Sequence, residues 1–415
     1  MKVFVAALAA LGAMATTARA DDWAQWRGPG RDGISQEKGL LKAWPKDGPK
    51  LLWQVKDIGS GYSTPVVAGN RLYVLSNEGL DSEFVRAFSV KDGKRVWSTR
   101  LGKVGNPEQQ PSYPAARSTP TVDGKLLYAL SSDGDLACVE TATGKALWTK
   151  SLRTDFGGAP GVWAYAESPL IDGNRLIVSP GGESATVVAL DKKTGKTLWK
   201  SPIAGEKAAS YASAIAATLA GRRQYVQFLS KGLVGLDAAT GKLLWRFDKT
   251  FDTQFGMHSF TPIAAGNLVY SATATAGGAA KITAAGGFTA DPVYVERKAY
   301  NGLGGAVKVG DCLYGTTRTT LLCTEFATGK VRWEERGVGQ GSVCCANGLL
   351  YVHGENGEVA LVEATPTGYV ERGRFSPPGP PDRGQSKAWA YPIIANGKLY
   401  IRDIGSLWCY DLKTP

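Results

Sequence analysis

The chain has 415 residues, a formal net charge of +11, 43% hydrophobic residues, 52 glycines and two histidines, His258 and His353. This is the composition of a long, turn-rich globular chain and not of a disordered or collagenous one. Two histidines exclude a three-histidine zinc site. The lack of Cys-x-x-Cys-His, Gly-x-Ser-x-Gly and phosphate-loop motifs excludes covalent haem attachment, a hydrolase elbow and a nucleotide cradle.

In chain order, Met1 and Lys2 precede an apolar run from Val3 to Ala15, then Ala18-Arg19-Ala20. Residues 1–20 thus read as a secretory signal peptide, too short in its apolar part to span a bilayer. Asp21 follows the cut, so no cysteine stands there for a lipid anchor, and no later stretch predicts a transmembrane segment. The expected product is exported, periplasmic or secreted. Losing Lys2 and Arg19 leaves a charge of +9. Lys94, Lys145, Lys196, Lys242 and Lys330 recur in one turn, so symmetry spreads their charge over a solvated rim, and no nucleic-acid partner is predicted. Residues 21–47 carry Trp23, Trp26 and Trp44 without periodicity. They read as an irregular strap with buried indoles; an aromatic ligand lid is the alternative.

From residue 48 a phrase recurs: Thr143-Gly144-Lys145-Ala146-Leu147-Trp148, Thr194 to Trp199, Thr240 to Trp245, Thr328 to Trp333, and in shorter form Asp92 to Trp97. Its tryptophans, with Trp53, are spaced by 44, 51, 51, 46 and 88 residues. The last step is a double period with a copy lacking tryptophan near Tyr294–Val295, and Phe375 is expected to hold an eighth slot. A second phrase, Pro-x-x-x-Gly-x-x-Leu-Tyr, opens each period, as at Pro65 to Tyr73 and Pro120 to Tyr128. Both phrases have strand chemistry between glycine turns. Four short strands per period of about 46 residues describe one blade of a β-propeller. The predicted fold is all-β, an eight-bladed β-propeller of four-stranded antiparallel blades over residues 48–415. The chain ends on a third-strand phrase, Leu407 to Lys413, so Leu51-Leu52-Trp53 is expected to complete the last blade and close the ring.

Cys138, Cys323 and Cys409 occupy a strand slot filled elsewhere by Ala87, Ala189 and Gly235, which makes them small buried hydrophobes. A hairpin near Thr317-Arg318 can bring Cys312 opposite Cys323, where one disulfide is a possibility. Cys344-Cys345 fill slots held elsewhere by Val66-Val67 and Ile393-Ile394. Successive strand side chains point to opposite faces, so two unbridged thiols are expected. Chemistry is best placed at the channel mouth, just before each opening proline. The candidates are Tyr62, Arg117, Tyr165, Glu167, Tyr211, His258, Gln340 and Trp389. Glu167 stands where other blades place Ser63, Ser118 or Ala212, as a calcium ligand, a base or an ion-paired rim group, with Arg117 its expected partner.

The Asp-x-x-Thr-Gly-Lys-x-Leu-Trp phrase resembles the pyrroloquinoline quinone (PQQ) repeat. The chain from Trp23-x-x-Trp26-Arg27-Gly28 to Tyr400-Ile401-Arg402-Asp403 is similar to the secreted PQQ-like propeller proteins of planctomycetes and related bacteria. Two relatives imply different functions. The outer-membrane assembly lipoprotein implies a non-catalytic scaffold. Quinoprotein alcohol dehydrogenases imply PQQ and calcium over the channel, with adjacent cysteines bridged against the cofactor, which would make Cys344 and Cys345 cofactor-binding and Glu167 a metal ligand. The leading expectation is a monomeric propeller binding a protein, glycan or small ligand on its channel face, with no cofactor. The alternative is a PQQ- and calcium-dependent dehydrogenase of alcohols or sugars.

Overall fold

The computed structural model describes residues 22–108, 115–251, 258–296, 300 and 305–414. The expected signal peptide lies outside the described residues. The described strands form eight sheets around a ring: seven hold four consecutive antiparallel strands, one of these taking a fifth strand from the strap, and the eighth joins the last three strands to an early one. One short helix, Leu152–Phe156, follows the second blade. Ring closure is by β2 (Leu51–Val55), since β1 (Ile34–Ser35) lies earlier in the strap. Strand β2 pairs with Ser406–Asp411 in the register Trp53↔Cys409, Gln54↔Trp408 and Val55↔Leu407. The first and last parts of the chain thus share one blade, and neither leaves an open sheet.

The repeated phrase has a packing cause. Asp191 Oδ1 accepts hydrogen bonds from the amides of Lys193 and Thr194, and Gly195 turns the chain at φ 69°. A Cβ on Gly195 would meet the Trp148 ring of the preceding blade at 3.0 Å, and one on Gly144 would meet Trp97 at 2.8 Å. Each glycine therefore serves both a left-handed turn and a close approach. Several of the indoles bond forward to the next blade's turn, as Trp97 Nε1 does to Thr141 O at 3.0 Å and Trp148 Nε1 to Lys192 O at 3.1 Å, whereas Trp245 Nε1 donates to Gln224 Oε1 of its own blade at 2.6 Å. The small slot faces the ring within the blade, as Cys138↔Trp148, Cys323↔Trp333 and Cys409↔Trp53 show. These tryptophans are half-buried at the blade junctions, less enclosed than full core residues.

Two slots lack tryptophan. In the fifth blade Tyr294 stands opposite Ala279 and donates to Phe326 O at 2.9 Å, which fills the slot as expected. In the seventh, Phe375 does not hold it. Leu361 pairs with Gly373, two residues earlier, because the bulge follows that pair. Trp44 of the strap covers this glycine and lies 5.8 Å from Tyr351, as Trp97 lies 5.8 Å from Tyr73.

The strap also enters the channel. Trp23 bridges Val67 of the first blade, Val122 N donates to Ala24 O at 2.7 Å, and β1 adds in parallel to Gly341–Ala346 of the seventh. Arg31 donates to Ser168 O at 2.9 Å and Pro169 O at 3.1 Å, and Arg27 donates to Ala306 O. Residues 23–35 thus fasten to inner strands around the ring and fill its axis.

Candidate functional site

Each inner strand is entered through three residues that alternate in direction, as extended backbone requires. Counting back from the opening residue of each blade, the third residue faces the mouth: Tyr62, Arg117, Ala166, Tyr211, Ser259, Gln340 and Trp389. The second is buried sideways, as are Ser63, Ser118, Glu167 and Ala212. The first faces the axis again, where Thr64, Ser168, Ser213 and Tyr391 join the lining. The hydroxyls among these last residues tie neighbouring blades together. Ser168 Oγ accepts from Thr119 N at 2.9 Å, Ser213 Oγ from Ser168 N at 2.9 Å and Thr64 Oγ1 from Tyr391 N at 3.0 Å.

Together they surround a cavity of about 340 Å3, completed by Trp26, Trp163 and Glu355. Trp26 comes from the strap and sits edge-on to Tyr391 at 5.0 Å, its Nε1 donating to Thr261 Oγ1 at 2.8 Å. Trp389 leans on Tyr62 at 4.8 Å and donates through Nε1 to Glu355 Oε1 at 2.6 Å. The Arg117 guanidinium lies over the Tyr62 ring at 5.3 Å. Trp163 N donates to the Tyr211 hydroxyl at 3.2 Å, and Asn106 Nδ2 holds the same loop through Gly161 O and Val162 O. Burial pushes the Glu355 carboxyl above the ordinary carboxylate range, opposed by the Trp389 bond.

Of the eight residues expected at the mouth, five meet there: Tyr62, Arg117, Tyr211, Gln340 and Trp389. The other three turn inward. Tyr165 is buried and donates to Pro180 O at 2.9 Å, and His258 packs edge-on to Phe228 at 5.3 Å. Glu167 is 2% exposed, with one oxygen accepting from Ser179 N and the other from Gln227 Nε2 at 3.0 Å. Burial raises its carboxyl to about 7, while the Ser179 bonds and the Arg31 charge work against the rise. Its cationic neighbour is therefore Arg31 of the strap and not Arg117, because the sideways position aims it away from the mouth. Alternation could have found this, since Glu167 aligns with the buried Ser63 and Ser118. Trp26, Trp163 and Glu355 come from outside the repeat phrases and carried no such signal.

The quinone and calcium chemistry finds a poor match. Calcium takes 6–8 oxygen ligands. Glu167 is spent on buried hydrogen bonds, and no cluster of three or more His, Cys, Asp or Glu suited to a metal occurs among the described residues. The six described cysteines are free. Cys344 joins the core with Tyr351 and Leu361, whereas Cys345 joins the one with Leu350 and Val362, so the two point to opposite faces, away from the cavity. Cys312 and Cys323 lie diagonally across their hairpin, opposite Glu325 and Tyr314 respectively, without a bridge. A planar quinone with three carboxyl groups would meet one guanidinium and one carboxyl group among the described lining residues.

A closed eight-bladed β-propeller with a strap in its axis and an aromatic cavity at one mouth defines the class. The family described as outer membrane protein assembly factor BamB matches residues 30–158 and 81–335, and the chain belongs to that family. It is 26% identical over 172 residues to the outer membrane protein assembly factor BamB of Moranella endobia, covering 40% of each chain, so it spans less than half of that relative's length. Among solved structures it is similar to BamB from Moraxella catarrhalis (15% identity, TM-score 0.64, 88% of this chain and 100% of that one). It is also similar to a quinohemoprotein alcohol dehydrogenase from Comamonas testosteroni (14% identity, TM-score 0.55, 97% and 82%). At these identities the structural likenesses establish the fold alone.

Proposed function

We propose that the protein is an exported, periplasmic or secreted propeller that binds a ligand at its channel mouth and performs no catalysis of its own. The observation that carries this reading is the aromatic cavity: its walls come from seven blades, and the strap supplies Trp26 to its lining. Concave, largely apolar sites with a few placed polar groups are where proteins hold ligands. The hydroxyl-to-amide bonds between neighbouring inner strands favour a fixed geometry, which lowers the ordering cost of binding.

The dye 1-anilinonaphthalene-8-sulfonate tests the reading. It should bind with one-to-one stoichiometry and lose that binding in Trp389→Ala. Stoichiometric uptake of PQQ with calcium, with reduction of an artificial electron acceptor when an alcohol is added, would replace this reading by the dehydrogenase one.

A further inference from the structure

We propose that the mouth cavity holds a neutral sugar ring of a glycan, stacked on its indoles; this rests on the cavity being the binding site. The apolar lining is almost wholly aromatic. Trp26, Tyr62, Trp163, Tyr211, Trp389 and Tyr391 supply the rings, and none of the described lining residues is Leu, Ile, Val or Met. An acyl chain or an aliphatic peptide side chain would be met by branched apolar groups. A pyranose instead presents a flat C–H face and a girdle of hydroxyls that both donate and accept.

The polar lining has that mixed character. Gln340 and the serines can donate or accept, Arg117 donates, and Glu355 keeps an oxygen beyond the one taken by Trp389. Among the described lining residues one cation and one carboxyl group give no field for a polyanion, so a nucleic acid or sulfated polymer would meet no matching charge from them. About 340 Å3 lies at the small end of ligand sites, near 300 Å3, which suits one or two sugar rings and not a folded partner.

Orientation is fixed before binding. Bonds to Glu355 and Thr261 hold two of the indoles, and the Tyr211 hydroxyl holds the backbone amide of the third. Sugars gain little per contact, so rings already in place matter more for them than for larger apolar ligands. Val162, next to Trp163 in the chain, is 67% exposed on the loop pinned by Asn106.

Displacement of the same dye tests the proposal. Cellobiose, xylobiose, mannobiose, chitobiose and maltose are each titrated to high millimolar concentration against parent, Trp163→Ala and Trp163→Phe proteins of matched melting temperature. At least one disaccharide should displace more than half of the dye from the parent. Its apparent affinity should fall about tenfold in Trp163→Ala, with Trp163→Phe between, as expected for losing about 1.4 kcal/mol of stacking. Dye that binds at Trp389 but is displaced by none of the saccharides overturns the glycan and leaves the binding reading intact. Displacement by a tripeptide alone does the same. Failure of the dye to bind overturns both.

Discussion

Replacing Trp44 by alanine removes the strap indole that covers Gly373, where the repeat would place a blade tryptophan. Trp44 is 7% exposed, with ring centroids 5.2 Å from Phe375 and 5.8 Å from Tyr351. A Cβ on Gly373 would meet the Trp44 Cβ at 2.7 Å, so the backbone opposite has no room to collapse into the gap. Truncating a buried tryptophan costs about 3–5 kcal/mol. The two ring pairs account for roughly 1–3 kcal/mol of that. An unfolding entropy of about 2.1 cal/mol/K per residue amounts to roughly 0.8 kcal/mol/K for a chain of this length, so the melting temperature should fall by about 4–6 °C. Trp148→Ala provides the comparison. That indole is half-buried and bonded to Lys192 O at 3.1 Å, so its loss should cost roughly 2 kcal/mol. Thermal melts followed by circular dichroism would decide. A Trp44→Ala protein that melts within about 1 °C of the parent, or above Trp148→Ala, would refute the substitution of strap for blade.

Burial raises the carboxyls of Glu83 and Glu167 from 4.5 to about 7. The folded state then holds more protons than the unfolded one between those values. Their stabilising contribution is complete below 4.5 and is lost as pH rises through about 7. Glu167→Gln should flatten the fall in melting temperature across this window; an unchanged slope would contradict the burial. Thiol titration in denaturant should find all six cysteines free, while in the native protein burial pushes the Cys344 and Cys345 thiols up and should make alkylation slow. A mass spectrum containing a Cys344–Cys345 bridge would contradict the strand geometry.

The ring was legible because its signals are local and repeated. A Thr-Gly-Lys turn and a tryptophan five residues after its Thr mark a blade by themselves, and an unpaired third strand at the end demands a partner from the beginning. The Gly373 slot was not legible, because the eye follows aromatic residues and Phe375 stands only two places away. The bulge that selects Gly373 belongs to backbone pairing, which composition does not display. The strap was read as an irregular segment, but its route lay beyond sequence reading for a similar reason. Residues 23–35 have no period, and their route through the channel is set by bonds to blades far along the chain, such as Trp26 to Thr261 and Arg31 to Ser168. The mouth was half legible. The stretch before each opening proline was singled out, but without the two-residue alternation Tyr165, Glu167 and His258 were grouped with residues that face the other way.

The indole N–H signals of the 12 tryptophans offer the most direct test of the central claim that the mouth cavity is where this propeller binds. In a titration with the disaccharide that best displaces the dye, the nitrogen–proton correlation spectrum should move the resonances of Trp26, Trp163 and Trp389. Trp97 and Trp148, bonded between blades, should stay in place. Shifts confined to the blade indoles, with the three cavity resonances unmoved at saturation, would contradict the account.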